Sequence, residues 1–316
     1  MTGKRWGRVL WRWLTAQIAF LYPGCFALVM ATGIISNGMQ IEGRTIWSDV
    51  LFIAALSAYA WLLLLLVLRS LCFRSGLWAD LKDPTLVFAF FTLVAGSSVL
   101  GLGLDFRSYA LAAGVLWIAA LAVWIGLIYF SFGLLIVLKK DSRVNVVHGS
   151  WLNAIVGTES LVLLGATVAS QSGALSPTVF VLIHWLWGIG LALYGMFISL
   201  LAYRLFFSDV APEDLSPVLW IVMGAAMISA NAGSALISTE SGVPFLNSMR
   251  PFIDAVTLLI WAWGTWWIPL LLLLGFWKHV VCQIPLVYTP ALWSLVFPLG
   301  MHAVATWNLS LAADIF

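Results

Sequence analysis

Apolar residues fall in nine long stretches along this chain, at 19–37, 50–68, 84–104, 109–138, 151–170, 177–206, 217–238, 251–277 and 290–310. Each is long enough to cross the hydrocarbon core of a bilayer as a helix, which takes about 20 residues. The two-residue alternation of membrane β-barrel strands is absent. The pattern predicts an all-α integral membrane protein, with residues 1–17 as a basic N-terminal segment and 18–316 as one transmembrane unit.

The nine stretches are of two kinds. Gly, Pro, Ser, Thr and Asn make up 35 of 103 residues in the odd-numbered stretches and 17 of 106 in the even-numbered ones. The even stretches carry the Leu and Trp runs, such as WLLLLLVL at 61–68 and WAWGTWWIPLLLLL at 261–274. Leu-rich helices can face lipid, whereas small residues let helix backbones approach closely. Gly and Pro interruptions leave backbone groups that need protein or water beside them. Odd helices are therefore expected inside and even ones outside, paired as consecutive hairpins. A small-residue segment recurs once per hairpin: MATGIIS (30–36), VAGSSVLG (94–101), VGTES (156–160), MGAAMISANAGS (223–234) and FPLGMHAVAT (297–306). An inner ring of such helices could enclose a narrow conduit, or the helices could simply pack tightly. The polar and small candidates for lining it are Thr32, Gly33, Ser97, Ser98, Thr158, Ser229, Asn231 and Gly300.

Composition agrees with a membrane location. The chain is 63% hydrophobic and 9% charged, against about 25% charged in soluble domains. That excludes most soluble enzymes, nucleic-acid binders and secreted disulfide scaffolds. Twelve of the 15 Lys and Arg residues lie on one set of loops (Lys4, Arg5, Arg8, Arg12, Arg69, Arg74, Lys82, Lys139, Lys140, Arg143, Arg204, Lys278). Only Arg44, Arg107 and Arg250 lie on the other. Basic residues concentrate on cytoplasmic loops, so the N-terminus is expected in the cytoplasm and the protein in the cell membrane. Nine spans would leave the last hairpin without its partner, which leads to the expectation that a tenth span is truncated from the sequence. The stretch KRWGRVLWRWL at 4–14 has the composition of an interfacial helix, either a membrane anchor or a site for a partner or lipid.

Recognisable catalytic chemistry is missing. No nucleotide-binding, zinc-hydrolase or serine-nucleophile motif is present, and His148, His184, His279 and His302 have no metal-ligand spacing. No catalytic residue, cofactor or metal is expected. Glu159 is the one ionisable group near mid-span, and Asp254 lies near the outer end of the eighth stretch. A carboxyl group in a span is costly and points to function: Glu159 could carry a proton, gate a path or bind a cation. It could equally be a protonated structural acid bonded near Ser229 or Asn231. His302 among small residues reads as a packed donor or a functional group. There is no Arg row for voltage sensing and no acidic ring for cations. Anions can instead be met by backbone N–H groups and positive helix ends.

Five segments in order, YPGCFALVMATGIIS (22–36), DLKDPTLVFAFFTLVAGSSVLG (80–101), PEDLSPVLWIVMGAAMISANAGS (212–234), TWWIPLLLLLGFWKHV (265–280) and LVFPLGMHAVAT (295–306), resemble the tellurite-resistance/dicarboxylate transporter family. That family also contains slow-type anion channels, malate permeases and sulfite exporters. The resemblance covers essentially the whole chain. It implies ten helices as five hairpins in a quasi-five-fold ring, with odd helices lining a pore in each protomer of a homotrimer. It also implies a phenylalanine gate, here Phe297, with Pro298 beside it to kink the helix and aim the ring. The chain departs from the family by stopping where the tenth helix would begin. Two functions follow. One is a channel-like conduit for small anions. The other is a secondary carrier or exporter of an organic anion or sulfite, of the four-carbon dicarboxylate class, coupled to protons through Glu159. Nothing in the residues addresses tellurite or selects one anion.

Overall fold

The computed structural model describes residues 15–137, 148–209 and 211–312. The basic, tryptophan-rich stretch at 4–14 lies outside them. Nine helices among the described residues are long and apolar enough to cross a membrane. They are α1 (Pro23–Ile41), α2 (Thr45–Cys72), α3 (Val87–Asp105), α4 (Ala110–Val137), α5 (Gly149–Gln171), α6 (Gly173–Phe207), α7 (Pro217–Ser238), α8 (Arg250–Val281) and α9 (Pro290–Ala312). A short helix, Arg74–Lys82, follows α2.

The odd helices form the inner layer. Each packs on two others in the order α1–α3–α5–α7–α9, and α9 packs back on α1, which closes a ring. The central stretches of α3, α5 and α7 are 83–89% buried, whereas those of the even helices are 17–39% buried. Each even helix packs along the odd helix before it and leans on the odd helix after it. Glycines set the inner spacing. A methyl group on Gly33 of α1 would come within 2.8 Å of Val99 on α3, and one on Gly300 of α9 within 2.9 Å of Ile34 on α1. Both are closer than side-chain carbons tolerate, so glycine is what lets these backbones approach.

The two ends of the ring are built differently. At one end each odd–even connection carries one residue with positive φ: Gly43 (75°), Ser108 (65°), Gly173 (53°) and Gly242 (66°), the last in a longer connection that includes the short helix Pro244–Ser248. That left-handed conformation suits glycine. The other end carries Arg69, Arg74, Lys82, Arg204 and Lys278, and here all five inner helices begin with a 3₁₀ turn (Pro23–Phe26, Val87–Phe90, Gly149–Leu152, Pro217–Trp220, Pro290–Leu292). Proline at the first position of three of these turns costs no hydrogen bond, because the first N–H groups of a helix have no internal partner. The five turns pack in the same cyclic order as their helices. At this basic end Arg69, 3% exposed, pairs with Asp80 at 2.8 Å and donates to the Leu21 carbonyl at 2.8 Å. The pair ties α2 and the short helix to the chain entering α1.

Candidate functional site: the axis of the inner ring

At the hairpin end the ring encloses a cavity of about 230 Å³. All five inner helices line it, through residues such as Asn37 of α1, Leu102 of α3, Thr167 of α5, Asn231 of α7 and Asn308 of α9. No charged side chain among the described residues lines it. Its polar groups are amides and hydroxyls. Asn308 Nδ2 donates to Asn231 Oδ1 at 2.8 Å, joining α9 to α7, and Asn37 Nδ2 donates to the Val99 carbonyl at 3.0 Å, joining α1 to α3. Each amide in the Asn231–Asn308 pair keeps an N–H free to turn toward a ligand.

The α9 face that lines the cavity continues below it into buried residues. On α9, Asn308, Val304, Met301 and Phe297 recur at helical spacing and so share one face. Asn308 and Val304 line the cavity. Met301 and Phe297 lie deeper on the same face and are 0% and 1% exposed. At a rise of 1.5 Å per residue, Phe297 sits about 10 Å below Val304. Pro298 lies inside α9, where it lacks the N–H that would bond the Ser294 carbonyl. It packs on α7: a methyl group on Gly224 would come within 2.7 Å of Pro298 Cγ.

The family model for voltage-dependent anion channels (SLAC1) matches residues 21–316. The chain belongs to this family. A membrane protein of Mycobacterium tuberculosis (strain ATCC 25618 / H37Rv), named Uncharacterized membrane protein Rv1735c, is 38% identical over 117 residues. That match takes in 37% of this chain and 59% of the relative, so the chain spans little more than half that relative's length. Two proteins of Methanocaldococcus jannaschii, named Uncharacterized transporter MJ0576 and MJ0762, are 27% and 25% identical over 296 and 293 residues. Those matches cover 90% and 89% of this chain and 82% of each relative.

In this member of the voltage-dependent anion channel family, several candidates from the small-residue segments bond to the outer layer. Tyr59 of α2 meets the Ser97 hydroxyl of α3 at 2.8 Å. Trp124 of α4 donates to Thr158 Oγ1 of α5 at 2.8 Å, and Trp117 to the Leu161 carbonyl at 2.9 Å. Trp187 of α6 donates to the Ser229 carbonyl of α7 at 3.1 Å, and Tyr194 to the Val222 carbonyl at 3.2 Å. Trp261 of α8 donates to Thr306 of α9 at 2.9 Å and stacks on His302, whose Nε2 lies 3.3 Å from Thr265 Oγ1. Every outer helix thus holds the inner helix that follows it through an aromatic donor. Thr32 is half-buried and bonds back to the Leu28 carbonyl at 2.8 Å, and the Ser98 hydroxyl bonds back to the Val94 carbonyl at 3.0 Å.

Glu159 is fully buried, and its carboxyl group occupies the space left by Gly190 of the outer helix α6. Neither oxygen has a hydrogen-bond partner. Ser229 faces the carboxyl group, but its hydroxyl donates to the Ala225 carbonyl at 2.8 Å. The arrangement places Glu159 at the junction of α5, α6 and α7, outside the cavity lining.

Among the candidates Thr32, Gly33, Ser97, Ser98, Thr158, Glu159, Ser229, Asn231, Phe297, Pro298, Gly300 and His302, the structure brings Asn231 to the cavity and Phe297 to the buried stretch beneath it. Asn37 and Asn308 add the other two amides of the lining, and neither was singled out by the sequence patterns. The helical register of Asn308 with Phe297 was the available signal.

Proposed function

We propose that the protein conducts small anions along the axis of the inner ring, with Phe297 as a steric gate. The observation that carries this reading is the uncharged cavity framed by all five inner helices and ending above buried Met301 and Phe297. Amide N–H groups stabilise an anion without a fixed cation, so binding stays weak enough for the ion to leave. The five inner-helix N-termini at the basic end add positive dipole ends at the other mouth. With basic loops in the cytoplasm, the cavity opens to the outside of the cell membrane. The trimer implied by the resemblance is part of the proposal, and cross-linking in native membranes tests it.

Phe297→Ala shortens the side chain that closes the path. Reconstituted in liposomes, this variant is expected to raise chloride or nitrate flux at least tenfold at normal expression and folding. Unchanged flux would remove Phe297 as the gate. The carrier reading, for a dicarboxylate or sulfite, relies on Glu159 exchanging protons with the path. The packing of its carboxyl group against Gly190 speaks against that role. Glu159→Gln is accordingly expected to leave the pH profile of flux unchanged, and a lost pH dependence would restore the carrier.

A further inference from the structure

A second cavity, of about 450 Å³, lies at the basic end, away from the ring axis. It is lined by the start of α7 and the last turns of α8. Pro285, Leu286, Val287 and Thr289, with Leu292 and Leu295 at the start of α9, complete the lining. The lining is apolar except for Ser216, Lys278, His279 and Thr289. Lys278 Nζ donates to the Leu215 carbonyl at 2.8 Å, which leaves two of its three N–H groups free. Among the described residues no carboxylate pairs with it. His279 Nδ1 bonds the Ile284 carbonyl at 2.8 Å, so its Nε2 is free. Here α8 departs from α-helical winding over Trp277–Val281, a π turn, a feature often found at functional sites.

The surroundings identify what the groove meets. Leu272, Leu273 and Phe276 of α8 are 58–65% exposed, and Leu286, Val287 and Tyr288 are 65–74% exposed. In a membrane-spanning chain these surfaces lie against lipid, so the groove opens sideways into the bilayer at the level of Lys278.

We propose that this groove binds an anionic phospholipid of the surrounding bilayer, with an acyl chain along the Leu-lined cleft and its phosphate on Lys278. The volume is that of a small-molecule site, and the single unpaired ammonium in its lining complements a phosphate. Gly275 lines the groove, and a methyl group there meets nothing within 4 Å, so the space beside it is open to a larger side chain. The site adjoins Leu295, two residues before Phe297, and an occupied cleft braces the start of the gate helix.

The test is thermal unfolding of the purified full chain in detergent, with added phosphatidylglycerol, phosphatidylcholine or oleate. None of these readouts involves transport, so the outcome is independent of the conduction proposal. Phosphatidylglycerol is expected to stabilise the wild type more than phosphatidylcholine. Lys278→Gln should weaken the apparent affinity for phosphatidylglycerol roughly fivefold, as one basic residue at a membrane surface is worth about that. Gly275→Leu, folded as judged by its unchanged melting without lipid, should lose the stabilisation by phosphatidylglycerol. Equal responses to both phospholipids, or full phosphatidylglycerol response in Gly275→Leu, would overturn the proposal. An oleate effect as large as that of phosphatidylglycerol would overturn the phospholipid assignment. Cross-linking of Leu286→Cys between protomers would show a second copy in the groove instead.

Discussion

The packing of Glu159 against Gly190 can be tested by a double-mutant cycle. A methyl group on Gly190 would lie 2.7 Å from Glu159 Cδ and 3.1 Å from Cγ, and in overlap with Oε1. The whole end of the side chain must therefore move, and it is fully buried. Overpacking of this kind costs about 1–3 kcal/mol, and alanine in place of glycine within a helix returns about 0.5–1 kcal/mol. Gly190→Ala alone is thus expected to cost up to about 2.5 kcal/mol. In a Glu159→Ala background the space is open, and the same change should stabilise by about 0.5–1 kcal/mol. The coupling is then about 1–3 kcal/mol, with the double variant more stable than the sum of the singles. Denaturant unfolding in mixed micelles measures it. An equal effect of Gly190→Ala in both backgrounds would mean that Glu159 does not point at α6, and would return it to the candidates for lining the path.

Other consequences concern the outer layer and the basic end. Thr158→Val keeps the shape but leaves the Trp124 N–H without an acceptor. It should cost about 1–3 kcal/mol of stability while leaving the ion selectivity of flux unchanged; altered selectivity would place Thr158 on the path. Asp80→Asn leaves the buried Arg69 guanidinium without its counter-charge and should cost about 3 kcal/mol, read by the same unfolding measurement. His148, just before α5, accepts a hydrogen bond from the Ser150 N–H at 3.2 Å, and burial, then Arg204, hold its pKa below the usual histidine value. The unfolded chain therefore binds its proton more readily. The contribution of neutral His148 to stability is complete above about pH 6.5 and is lost as the pH falls below that toward the depressed folded value. His148→Gln should flatten this part of the stability–pH curve, and an unchanged slope would count against it.

The inner and outer layers were legible in the sequence because they differ in composition. Inner helices that pack closely must be narrow where they meet, and Gly33 and Gly300 show the close approaches that this allows. The direction of each polar side chain was not legible. Ser97 and Thr158 look like pore-lining residues when only their helix is known to be inside. Yet an inner helix meets its outer neighbour as well as the axis, and a hydroxyl serves equally as an acceptor for Tyr59 or Trp124. The outer helices held the missing signal: Trp117 and Trp124, like Trp187 and Tyr194, are seven residues apart, two helical turns on one face. Read as lipid-facing bulk, they concealed donors that reach inward. For Glu159 the sequence left a functional and a structural role open. A carboxyl group at mid-span suggests the conduit, but the vacancy that accommodates it belongs to Gly190, which no pattern within α5 reveals.

The central claim is that anions pass along the ring axis through the cavity lined by Asn308. In a Phe297→Ala protein with Cys25, Cys72 and Cys282 replaced by serine, Asn308→Cys can be modified by a bulky, membrane-impermeant thiol reagent while flux is recorded. Modification is expected to abolish anion flux, with no effect on the same protein retaining Asn308. Undiminished flux through fully modified Asn308→Cys protein would contradict the account, because the anions would then be travelling by another route.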